Sequence, residues 1–185
     1  MHDMRKFAFL ISALVLVASK LTAEELKEQS FTNENIGRVV LKAPKDWKPI
    51  ERHHINFGTT FYRLVPPKSE FDLEILVNDL KHMSMAALVD KDLEKYIESN
   101  MAESASQSVE GKVRGRRFGE HKDGVFARVT DKAPKPGEYL YFTQGVRLIG
   151  TNVVLFTLLS NDKDEAALKA TLAIVESVKL EAKPK

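Results

Sequence analysis

Three arginines fall within four residues of the segment "KVRGRRFGE": Arg114, Arg116 and Arg117. A guanidinium presents a planar fork of donors that matches a carboxylate or phosphate, so this segment is a candidate anion-docking face. Arg114 and Arg116 share one side of an extended chain. Gly115 and Gly119 permit close backbone approach. Glu110, Glu120 and Asp123 are near in sequence, and a solvated, locally paired strand is the competing interpretation. A second pair that could do chemistry is His53-His54 in "IERHHINF". Adjacent residues of a strand face opposite ways, so His53 and His54 do not chelate one ion by themselves. They are weak metal candidates that need His82 or His121 brought to them in space. Trp47, with Phe57, Phe61 and Tyr62, supplies aromatics that line a ligand groove or, more commonly, seal the edge of a core. Glu94 and Glu98 stand one helical turn apart, which usually means a solvated face.

Several chemistries are disfavoured. The chain has no cysteine, which removes disulfides, thiolate metal sites, a cysteine nucleophile and a lipidated cysteine. "GKVRGRRFG" has glycines without the GK[ST] ending of a phosphate loop. No G-x-S-x-G elbow occurs, and Ser104, Ser106 and Ser108 read as a polar helix end. The expectation is a protein that is not an enzyme and carries no cofactor or metal.

The N-terminus reads as an export leader. Arg5 and Lys6 precede "FAFLISALVLVAS", an apolar run of 13 residues from Phe7 to Ser19, and small residues follow. Positive flank, short apolar centre and small residues are the parts of a signal peptide. A spanning helix needs about 20 apolar residues, and Lys20 ends this run short of that. Cleavage is expected after Ala23, with Ala18 or Ser19 as alternatives and an uncleaved anchor as the competing case. The leader holds Arg5, Lys6, Lys20 and Asp3, so of 28 basic and 26 acidic residues 25 of each lie beyond it. A balanced charge argues against nucleic-acid binding driven by phosphate neutralisation. The remaining 162 of the 185 residues suffice for one domain that buries roughly 70% of its unfolded surface.

The elements that must position these residues follow from periodicity. Residues 24–35 are polar apart from Leu26 and Phe31 and read as a loose arm. "IGRVVLKAP" and "INFGTTFYRLV" are extended stretches ended by prolines. In "FDLEILVND", Phe71, Leu73, Ile75 and Val77 alternate with Asp72, Glu74 and Leu76, as a half-buried strand should. Between residues 90 and 108 the apolar positions Leu93, Tyr96, Ile97, Met101 and Ala105 step by three and four, which predicts an amphipathic helix capped at Asp90 or Asp92. Asp123-Gly124 predicts a two-residue hairpin turn, and Gly150-Thr151 a type II′ turn. In "NVVLFTLLS", Val153, Leu155 and Leu159 lie on one face, with Val154, Phe156 and Leu158 on the other. A strand apolar on both sides belongs inside a sheet with a layer over each face. A second helix begins near Asp162, with Glu165 in capping-box spacing, and its buried stripe is Leu168, Thr171, Leu172, Val175 and Val178.

The order of these pieces resembles the PsbP-like fold family. The resemblance rests on "LKAPKDWK", the helix "DLEKYIESNM" and a final strand pair leading into "LAIVESVKL", and it spans roughly residues 30–180. That family includes the extrinsic photosystem II subunit, a Ran-binding nuclear import factor and many small exported bacterial proteins. The leader is at odds with the Ran-binding branch and favours the exported bacterial one, and the resemblance brings no catalytic residue with it. The fold expected is α+β, a helix / antiparallel β-sheet / helix sandwich with about seven strands and two main helices. The expected organisation is a signal peptide over 1–23, an arm over 24–35, one domain over 36–180 and a polar tail over 181–185. The expected function is an exported, periplasmic or secreted, non-enzymatic accessory protein that binds another envelope or secreted protein, without stable membrane insertion. The alternative is a small-ligand carrier with a groove near Trp47. Trp47, Arg114, Arg116 and Arg117 are the candidate binding residues.

Overall fold

The computed structural model describes residues 26–33, 35–54, 59–67, 71–81, 92–161, 163 and 165–181. The leader, His82, Asp90, Asp162 and residues 182–185 of the tail lie outside them. The fold is α+β. Seven strands form one antiparallel sheet in the order β3-β4-β5-β9-β8-β7-β6: β3 (Lys48–His54), β4 (Thr59–Val65), β5 (Phe71–Asp79), β6 (Arg116–Phe118), β7 (Gly124–Thr130), β8 (Tyr141–Ile149) and β9 (Asn152–Ser160). A second sheet holds β1 (Leu26–Asn33), β2 (Gly37–Pro44) and β10 (Lys179–Glu181), in the order β1-β2-β10.

β9 has the interior place that its two apolar faces require, hydrogen-bonded between β5 and β8. Val154, Phe156 and Leu158 enter one core, beneath helix α3 (Ala166–Glu176) and the small sheet. Val153, with partly buried Leu155, enters the other, beneath α1 (Leu93–Asn100) and α2 (Ala102–Ser106). α1 lies on β7 and β8, while α3 lies on β9 and β2. Burying one such side chain contributes about 1.5–3 kcal/mol, which is why a two-faced strand cannot remain at an edge. β5 behaves as its alternation predicts, with Phe71, Leu73, Ile75 and Val77 all in the α3-side core.

The structure corrects five local expectations. Residues 26–33 of the expected arm form a strand: β1 pairs with β2 from Leu26↔Pro44 to Asn33↔Gly37. Lys27, Glu28, Ser30 and Thr32 face solvent, while Phe31 stacks on Tyr62 at 3.9 Å and buried Asn33 donates to the Val77 carbonyl at 2.9 Å. Glu181, the first residue of the expected tail, is also in a strand. α3 stops at Glu176, and β10 then adds to β2, where Glu181 pairs with Arg38 at 2.9 Å. The β6–β7 connection is a five-residue loop from Gly119 to Asp123, with positive φ at Gly119 (86°) and Lys122 (53°). Gly124 is the first residue of β7, and it is glycine because the Phe118 ring lies 2.4 Å from where a Cβ would be. α3 begins after Glu165, which adopts φ 61° without a side-chain cap bond. The Glu165 carboxylate pairs instead with Arg128 at 3.2 Å. Among the described residues the predicted helix over 90–108 becomes α1 and α2, divided at Met101.

Candidate functional site

β6 is an edge strand of the large sheet, and the segment that leads into it is held from one side by α1. The Gly115 N–H donates to Glu98 Oε1 at 3.0 Å, and Arg117 Nε donates to Glu94 Oε1 at 2.9 Å. The acid pair spaced one turn apart is therefore a clamp on residues 115–117. The approach is close: a Cβ on Gly115 would stand 2.9 Å from Val125 Cγ1 and 3.0 Å from Glu94 Cα. Only glycine fits there without displacing the helix.

The three arginines separate. Arg117 turns to the α1 side, where Nη1 also donates to the Lys122 carbonyl at 3.0 Å. Arg116 lies on the other side, its guanidinium 4.5 Å from the centroid of the Phe126 ring. That ring belongs to an aromatic row, with Phe118 6.0 Å from Phe126 and 5.9 Å from Phe156 in edge-on contacts. The row exists because Gly145, paired with both Phe126 and Phe156, leaves room; a Cβ there would stand 2.2 Å from the Phe156 ring. Arg114 and Arg116 are exposed. Two of the three acids near in sequence are engaged elsewhere, and the third, Glu120, is exposed. Glu110 accepts from Thr130 N and Oγ1 at 2.9 and 2.7 Å, and Asp123 pairs with Arg147 at 3.0 Å. The result is a basic edge whose Arg116 is fixed against an aromatic face, a contact worth about 0.5–1 kcal/mol where exposed.

Trp47 corrects the groove expected beside it. Its side chain is 6% exposed and packs edge-on against Phe71 at 4.9 Å. Tyr62 is fully buried in the same core, with its hydroxyl donating to the Thr32 carbonyl at 3.3 Å. Trp47 is thus a seal of the α3-side core. His53 and His54 are the last residues of β3, in register with Thr60 and Thr59, and their side chains, like Phe57, lie outside the described residues. Among the described residues no three His, Cys, Asp or Glu side chains gather to hold a metal.

A groove between helix and sheet exists elsewhere, with a volume of about 570 Å³. It lies between α2 and the loop joining β7 to β8. Val129, Leu140, Phe142 and Leu159 form its floor, and Asp131 and Glu138 stand at its mouth. The sequence carried no separate signal for it: Leu159 reads as part of a buried strand face, and "DKAPKPGEYL" reads only as a loop until α2 is placed opposite.

Among the described residues no helix is long and apolar enough to cross a membrane. No protein-family model matches the chain, and no curated protein matches it. The chain is similar to the solution structure of cyanobacterial PsbP from Synechocystis sp. PCC 6803, at 9% identity over 88% of this chain and 96% of that one, with a TM-score of 0.48. No residue role passes from that chain to this one.

Proposed function

We propose that this protein is a non-enzymatic accessory module, exported by its N-terminal leader, that docks an acidic envelope or secreted protein through the β6 edge. The observation that supports this most is the fixed placement of Arg116. Its guanidinium rests on Phe126 at 4.5 Å, on a segment clamped by Glu94 and Glu98. A guanidinium held by a ring loses less freedom on meeting a carboxylate, and preorganisation of this kind improves affinity. Arg114 adds a second exposed charge beside it, and β6 lies at the edge of the large sheet.

The test is titration with an Asp/Glu-rich peptide and a Lys-rich control, followed by amide and Arg Nε NMR signals. The wild type should bind only the acidic peptide, more weakly as salt rises. Arg114→Ala/Arg116→Ala should lose that binding while keeping its amide spectrum. Equal binding by the variant, or an unchanged set of proteins captured by it from native extract, contradicts the reading. Export has its own check: intact mass of the protein isolated from its natural compartment should lack residues 1–23, and full-length protein in the cytosol contradicts it.

A further inference from the structure

The groove between α2 and the β7–β8 loop has the build of a ligand site. At about 570 Å³ it falls in the size range of pockets that take small organic ligands, roughly 300–1,000 Å³. Its floor is apolar. The charged side chains that line it, Asp131 and Glu138, are both acidic. The nearest lysines do not line it: Lys132 Nζ donates to the Ser106 carbonyl at 3.4 Å, and Lys135 sits 3.9 Å from Glu138 with its side chain 82% exposed.

The loop that carries the acids is preformed. Asp131 N donates to the Leu140 carbonyl at 2.9 Å, and Asp131 Oδ1 accepts from Ala133 N at 2.8 Å. Glu138 Oε2 accepts from Lys135 N at 2.9 Å, and Leu140 N donates to Asn161 Oδ1 at 2.8 Å. These bonds place both carboxylates at the mouth before any ligand arrives. Among the described residues Asp131 pairs with no cation, and the contact of Glu138 with Lys135 is loose enough for a ligand to replace.

We propose that this groove binds an amphipathic organic cation, an ammonium group carried on an alkyl or aryl body. The apolar body covers Val129, Phe142 and Leu159, and the ammonium meets Asp131 and Glu138. An anionic analogue of the same shape meets like charge at the same mouth. The site is at the end of β7 remote from β6, so it stands or falls independently of the basic edge.

Octylammonium, octanol and octanoate, each below its self-association concentration, share one tail and differ in charge. Titrations on the full chain are followed by backbone amide shifts. Octylammonium should saturate, move amides of residues 104–108 and 129–142, and bind about tenfold more tightly than octanoate, as two partly exposed carboxylates together allow. Asp131→Asn/Glu138→Gln should reduce that preference to about twofold while octanol binding persists. Because Asp131 also holds the loop at Ala133, Glu138→Gln alone is the second variant and should shrink the preference by roughly half on a logarithmic scale. Octanoate binding as tightly as octylammonium, shifts confined to other parts of the protein, or no saturable binding of octylammonium would each overturn the proposal.

Discussion

Arg147 is the residue whose loss should tell most about how the layers hold together. It stands in β8, yet its guanidinium closes the end of α3: Nη1 donates to the Val175 carbonyl at 3.0 Å and to the Glu176 carbonyl at 2.8 Å. Nε pairs with Asp123 of the β6–β7 loop at 3.0 Å, and the two side chains are only 16% and 22% exposed. The last carbonyls of a helix lack intrahelical partners and sit at its negative end. α3 has no basic residue in its own last turn, so the sheet supplies the cation. Charge-assisted hydrogen bonds contribute about 1.5–3 kcal/mol each and are not additive, which puts Arg147→Ala at about 2–3 kcal/mol. For a chain of this size that lowers Tm by roughly 5–10 °C. Arg147→Lys keeps the charge but loses the fork, and should recover less than half of the loss. Calorimetry on the wild type, both Arg147 variants, Asp123→Asn and the double variant gives the full cycle. The double variant should be about 1 kcal/mol more stable than the single losses sum to, because part of the cost of Arg147→Ala is the stranded Asp123 carboxylate. A Tm within about 1 °C of wild type for Arg147→Ala would refute the reasoning, since its premise is that these partly buried bonds are not screened by water.

Two further outcomes follow from geometry. Gly145→Ala puts a methyl 2.2 Å from the Phe156 ring and should cost about 1–3 kcal/mol by overpacking. Adding Phe156→Leu should recover part of that in a denaturant titration, and strict additivity of the two would contradict the contact. Glu110 gives a pH dependence. Burial alone would raise its pKa, but the hydrogen bonds from Thr130 N and Oγ1 outweigh burial and hold the carboxyl below its usual range. Its contribution is therefore present above the unfolded-state pKa and is lost as pH falls through the folded-state value. Thermal melts of wild type and Glu110→Gln should differ at neutral pH and converge in acid, and a constant difference would exclude this assignment.

Much of the fold was legible in the sequence because period and burial are directly linked. "NVVLFTLLS" has two apolar faces and so had to be an interior strand, and the stripes of Leu93–Ile97 and Leu168–Thr171–Val175 could only be buried faces of helices. The polar strand β1 was not legible, since an edge strand with one solvated face and few apolar residues has the composition of an arm. The candidate sites were legible in part. Arg114 and Arg116 were found by type and spacing. Trp47 was misplaced as a groove residue because an aromatic side chain reads alike in a core and in a pocket.

Residue order alone determined the α+β class, the two-faced strand, the two amphipathic helices and a basic segment that begins at Lys112. Tertiary structure decided which groups meet across long stretches of chain. It set Glu94 and Glu98 against residues 115–117, Arg147 against the end of α3, and α2 opposite Asp131 and Glu138. Local periodicity records which way a side chain faces. What it faces depends on strand order and helix placement, and those are settled by packing among residues far apart in sequence.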